Sequence, residues 1–98
     1  MIYITQIIYI HEDKEDLFLE FEKHAIPLMN KYNGKLIHRI RPNKESYIDG
    51  VDEIPYEIHF ISFDSQDDLN CFMKDDSRND FVHLKNESVR SSRIVIGN

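Results

Sequence analysis

Tryptophan is missing from this chain, cysteine occurs once, and glycine and proline occur three times each among 98 residues. Each scarcity excludes something. A single thiol, Cys71, makes no intrachain disulfide, which removes the disulfide-stapled secreted scaffolds. Flanked by Leu69, Phe72 and Met73, it reads as a buried thiol in a reducing compartment. No apolar run approaches the ~20 residues of a membrane span. The first residues enter a β pattern at once, without the cationic region and cleavage site of a signal peptide, so the expected location is cytoplasmic. Asn86-Glu87-Ser88 matches a glycosylation triplet, which matters only in a secreted protein. Basic residues are also short: 12 Lys and Arg stand against 18 Asp and Glu, a formal charge of -6. Non-specific nucleic-acid binding needs the opposite sign, and neither nucleic acid nor membrane is an expected partner.

What is present is ordinary for one globular domain spanning 1–98, with 41% hydrophobic and 31% charged residues. A domain this small buries about 60–65% of its unfolded surface, so a second copy would add useful burial.

Strand, helix and strand patterns run twice in succession. Ile2, Ile4, Ile8 and Ile10 alternate with Tyr3, Thr5, Ile7 and Tyr9, a period of two with both faces largely apolar. Glu12 to Tyr32 carries a helical stripe of Leu17, Phe21, Ala25 and Leu28, edged by Phe18, Met29 and Tyr32. His11-Glu12-Asp13 supplies a turn and cap, Pro27 predicts a kink or break, and Asn33-Gly34 a stop that uses glycine's left-handed freedom. A second strand follows over Lys35 to Arg41, ended by Pro42. Residues 43–55 are polar and form a long loop, read as a lid or as a plain connection.

The second round begins with a strand over Tyr56 to Phe63. A helix over Gln66 to Val89 is capped by Ser65, and the polar stretch Lys74 to Asp80 predicts a break inside it. Arg93 to Ile96 closes the chain as a strand. The order βαββαβ gives an α+β, ferredoxin-like domain: a four-stranded antiparallel sheet ordered 4-1-3-2, with both helices on one face. The other face, with Ile7, Ile37, Ile58 and Phe60, is too apolar for water. An isologous homodimer through that open face is the expected cover.

Pro27 in the first helix, the turn Tyr32-Asn33-Gly34, the strand end Phe63-Asp64-Ser65 and the segment Asp75 to Phe81 together carry a resemblance. Through them the whole chain resembles the dimeric α/β-barrel superfamily, and within it a family of small bacterial proteins of unknown function. Asn33 replaces a usual glycine, and Phe72-Met73 stands where that family has an aromatic pair headed by Trp. The resemblance implies two sheets packed face to face. It leaves activity open, because the superfamily holds monooxygenases, isomerases, dehydratases, haem enzymes and proteins with no known activity. Monooxygenase-type members often carry a His near the position of Phe72, and this chain does not.

The resemblance places Ile61 and Phe63 toward the helices, so Tyr56, Ile58, Phe60 and Ser62 line the barrel side. Strict alternation adds Tyr3, Thr5, Ile7, Tyr9, Ile37, Arg39 and Arg41, and a one-residue slip would reverse every assignment. Arg39, Tyr9, Tyr56, Ser62 and Phe60 form the candidate ligand-binding set, a few polar tips in an apolar chamber. Arg39 needs an anion there, either a ligand carboxylate or Glu57 from the neighbouring strand, and the salt bridge is the simpler reading. Tyr9 and Tyr56 either orient a substrate oxygen or pack with satisfied hydroxyls.

Five histidines invite a metal, but His11, His24, His38, His59 and His83 show no ligand spacing, so neither metal nor cofactor is expected. His38 and His59 read as cross-strand neighbours on the helix-covered face. The functional expectation is a small hydrophobic or anionic metabolite, bound or converted without a cofactor between paired sheets, monooxygenase- or isomerase-like by resemblance. The alternative is a non-catalytic structural or interaction homodimer with a filled barrel. No side chain announces itself as a tuned general base.

Overall fold

Alternating isoleucines build β1 (Ile2–Ile10), and a computed structural model, which describes residues 1–98, places this strand inside the sheet. It pairs antiparallel with β3 (Glu57–Phe63) on one side and β4 (Val89–Gly97) on the other, and β2 (Gly34–Ile40) lies beyond β3. The order β2-β3-β1-β4 is the one the split βαβ halves predict, and the fold is ferredoxin-like. Strand β1 has a neighbouring strand at each edge, β3 and β4. Ile2, Ile4 and Ile8 are buried toward the helices, whereas Tyr3, Thr5 and Ile7 face away.

Helix α1 (Glu15–Lys31) buries Phe18, Phe21, Glu22 and Met29. It starts three residues later than the acids at 12–13 predict, because Asp13 takes a left-handed turn at φ 66°. The helix runs unbroken through Pro27, which lies on its exposed side. There the carbonyl of Lys23, freed by the missing N–H, is open to water. After the helix it is Asn33, at φ 61°, that takes the left-handed conformation, and not Gly34. Gly34 serves a different need: a Cβ there would sit 2.7 Å from Cε1 of Phe63 and 2.9 Å from the carbonyl oxygen of Met29. Only a bare backbone lets β2 leave α1 so closely.

The second helical region breaks where its polar run predicts. Helix α2 (Gln66–Lys74), capped by Ser65, gives way to a turn of 3₁₀ helix at Asp76–Asp80 and then to α3 (Val82–Ser88). The Asp75 carboxylate accepts from the backbone N–H of Ser77 at 2.8 Å and from the Tyr32 hydroxyl, tying this corner to the end of α1. Cys71 is exposed, contrary to its apolar neighbours in sequence. On α2 it lies two residues past Leu69 and so falls off the stripe that Leu69 and Phe72 press onto the sheet. Helices and sheet meet in a small core of Ile2, Ile4, Met29, Phe63 and Leu69.

One irregularity decides where the site lies. Leu36 pairs with Ile61, but His38 pairs with Phe60, so Ile37 is an extra residue that β3 does not match. This bulge flips every later side chain of β2. His38 and Ile40 turn to the open face, opposite Phe60 and Ile58, while Arg39 turns to the helix side, opposite His59. Strict alternation predicts the reverse for Arg39 and Arg41, and this is the register error that it risks. His38 and His59 are consequently on opposite faces and form no pair.

Candidate functional site

Glu57 begins β3 on the helix-covered face, and its side chain is 2% exposed. A carboxylate placed there needs partners. Arg39, swung over by the bulge, donates from Nε to Oε1 at 2.8 Å and from a second guanidinium nitrogen to Oε2 at 3.3 Å. Arg41 donates from Nε to Oε2 at 3.2 Å and adds a second bond to the same oxygen. His59, two residues on along the same face of β3, has Nε2 2.9 Å from Oε1. Burial alone would push the Glu57 carboxyl up; hydrogen bonds from His59, Arg39 and Arg41 prevail and hold it at about 2. Glu57 is therefore ionised and accepts only, so the His59 Nε2 must carry the proton of that bond. In the neutral ring Nδ1 is then the bare nitrogen.

Across from this cluster, Glu22 on α1 is 6% exposed and has no hydrogen-bond partner in the protein, yet no buried polar atom is sealed off without one. Its carboxyl therefore faces the cavity that it lines. Burial raises the Glu22 pKa, the nearby charge of Glu57 adds to that, and His59 and Arg39 only partly oppose it. The same reasoning applies to His59 Nδ1, which also borders the cavity and has no partner.

The cavity measures about 290 Å³ and lies inside one chain, between the sheet and the helices. Of its nineteen lining residues thirteen are hydrophobic, among them Ile4, Phe21, Leu36, Phe63 and Phe72. Gln6, Asn70, Arg78 and Lys85 supply further polar atoms, and exposed Ile94 and Ile96 of the edge strand form its rim. A largely apolar hollow with a few converging polar groups is the usual form of a small-molecule site. Sequence reasoning puts the chamber on the opposite face of the sheet, between two copies.

The five residues singled out by sequence do not converge. Phe60 and Ser62 are on the open face, with Phe60 stacked between Tyr3 at 5.6 Å and His38 at 6.3 Å. Tyr9 and Tyr56 line a shallow depression at one end of the sheet, together with Arg41, Glu53 and Arg90. Tyr56 lies on the helix side: its ring meets Phe18 edge-on at 5.5 Å and the Arg41 guanidinium at 4.6 Å. Its hydroxyl donates to Glu15; burial, then this bond, raises the Tyr56 pKa. Arg39 is engaged by Glu57, the partner that sequence reasoning names for it. Glu22 and the free face of His59 escape that reasoning. The signal is nonetheless there: Glu22 sits on the buried stripe of α1, four residues after Phe18 and one after Phe21.

No protein-family model matches the chain, and no curated protein does either. Solved structures do. A protein of unknown function from Rhodopseudomonas palustris superposes with a TM-score of 0.83 at 13% identity, over 98% of this chain and 79% of that one. A protein from Bacteroides fragilis, described as dimeric, of unknown function and ferredoxin-like in fold, gives 0.68 at 15%, over 99% and 94%. An antibiotic biosynthesis monooxygenase-like protein from Nitrosomonas europaea gives 0.74 at 9%, over 100% and 97%. At such identities the likeness is one of fold.

Proposed function

We propose that this protein binds a small, mostly apolar molecule in the cavity between its sheet and helices, and that it works as a homodimer joined through the open sheet face. The observation that carries the first half is the Glu22 carboxyl, buried and without a partner, facing a hollow of about 290 Å³. The residue is buried while its carboxyl oxygens open onto the hollow, where a ligand donor can meet them. The second half draws on apolar side chains left on the open face, including Tyr3, Ile40 and Val95, and on the dimeric ferredoxin-like neighbour from Bacteroides fragilis. One observation favours a purely structural homodimer instead: the Glu57 cluster is satisfied within the chain and calls for no ligand.

Filling the cavity separates these readings. Ala25 lines it from α1, and Ala25→Phe places a ring in the hollow. Ligand-observed NMR with the bicyclic ketone β-tetralone is expected to show saturable binding to the native protein and none to the filled variant. Equal signals from both would reject the cavity as the binding site.

A further inference from the structure

Two acids of this protein are placed in opposite situations around one histidine. Glu57 is ionised by two arginines and fixes His59 through Nε2. Glu22, buried and without a partner, faces the same hollow as the other side of that ring. A salt-bridge cluster that only anchors the sheet has no use for Glu22, since its burial is unfavourable and no protein group repays it. Pairs of ionisable groups held in contrasting environments mark acid and base assignments.

We infer that Glu22 and His59 act as an acid–base pair on a small apolar carbonyl compound with an enolisable carbon, interconverting its keto and enol forms or moving its double bond. The inference rests on the cavity being the ligand site and names the substrate class and chemistry of that site. The His59 Nδ1 lone pair takes a proton from the carbon beside the carbonyl. The C–H electron pair becomes the new C=C bond, the carbonyl π pair moves to oxygen, and that oxygen takes the proton of the Glu22 carboxyl. The products are an enol, a Glu22 carboxylate and an imidazolium whose Nε2–H rests on Glu57. In the return, the imidazolium gives its proton to the same carbon or to a conjugated one, the enol oxygen gives its proton back to the Glu22 carboxylate, and both groups are restored. No oxidant, reductant or cofactor enters the balance.

The geometry suits each role. Glu57 sets the tautomer that leaves Nδ1 bare and stabilises the imidazolium, as the third member of a catalytic triad does. Arg39 and Arg41 keep Glu57 ionised, so these three are positioning residues. Glu22 opens onto the hollow with no protein partner, and desolvation raises its pKa, in the direction that lets a carboxyl donate. The titratable and charged groups that face it are His59, Arg39 and Glu57 from the sheet, with Arg78 and Lys85 on the cavity wall beyond α2. The mostly hydrocarbon lining favours an apolar substrate body over a sugar or a nucleotide.

Exchange of the α-protons of β-tetralone in heavy water, followed by proton NMR, tests this directly. The native protein is expected to speed exchange above the buffer rate. Glu22→Gln is expected to slow it about 100-fold, within the usual range for removing a general acid. This variant is nearly isosteric and removes an unfavourable buried acid, so it should fold at least as well as the native chain. The pH profile gives a second reading: the native rate should fall at high pH as Glu22 ionises, and Glu22→Gln should lack that limb. His59→Gln, checked for folding by circular dichroism, should lose exchange as well. If β-tetralone binds but exchange is absent, or is unchanged in Glu22→Gln, the acid–base pair is refuted while the binding site stands. If β-tetralone does not bind at all, the cavity reading fails and takes this one with it.

Discussion

Arg39 Nε lies 2.8 Å from Oε1 of Glu57, and this bond joins β2 to β3 only because Ile37 is an extra residue in β2. Without that bulge Arg39 would face the open side of the sheet and Glu57 would lose a donor. A one-residue irregularity thus makes a buried carboxylate tolerable.

Glu57→Gln is expected to destabilise the protein by about 2–3 kcal/mol, read as a lower urea midpoint. The amide cannot accept from three donors as the carboxylate does, and buried His59 loses its anion. Arg39 and Arg41 soften the loss, because they are 32% and 47% exposed and can turn to water. An unchanged midpoint would show that the cluster contributes nothing net.

The two acids should leave opposite marks on stability against pH. Glu57 falls from its ordinary 4.5 to about 2, so its contribution is complete above 4.5 and is lost as pH drops from 4.5 toward 2. Glu22 is raised, so the unfolded chain ionises it first, and its contribution turns unfavourable as pH climbs above 4.5. Glu22→Gln should therefore raise the urea midpoint at neutral pH and change it little in acid. A variant less stable than the native chain at neutral pH contradicts this assignment.

Gly34→Ala should cost about 1–3 kcal/mol, since its methyl would meet the Phe63 ring and the Met29 backbone. Thermal melts of the two proteins measure the difference. A neutral substitution would mean that α1 and β2 separate more easily than their packing implies.

Val95→Glu tests the homodimer. Val95 is 66% exposed in the single chain, so a charge there should leave the fold intact while opposing burial against a second sheet. Sedimentation equilibrium is expected to give twice the chain mass for the native protein and the single mass for the variant. A native protein that sediments as a monomer removes the proposal.

Much of the architecture was legible because it depends on local pattern. The isoleucine alternation marks β1 to the residue, and the polar run after Lys74 marks the break between α2 and α3. The strand order follows from two consecutive split βαβ units. Errors arise where a neighbour overrides the pattern. Cys71 looks buried among apolar residues until the helix rotates it outward. Tyr56, assigned to the open face by alternation, precedes β3 and leans on Phe18 instead.

The sequence by itself determined a ferredoxin-like sheet with helices on one face and an apolar surface on the other, because hydrophobic periods of two and 3.6 are written residue by residue. Only the tertiary structure decided which groups meet. The bulge at Ile37 is a pairing defect between distant strands, so alternation along β2 gives no hint of it. The same is true of Glu22 and His59, which lie on different elements and border one cavity only after α1 packs on β3. Periodicity is a property of a segment, whereas a site is a property of contacts between segments.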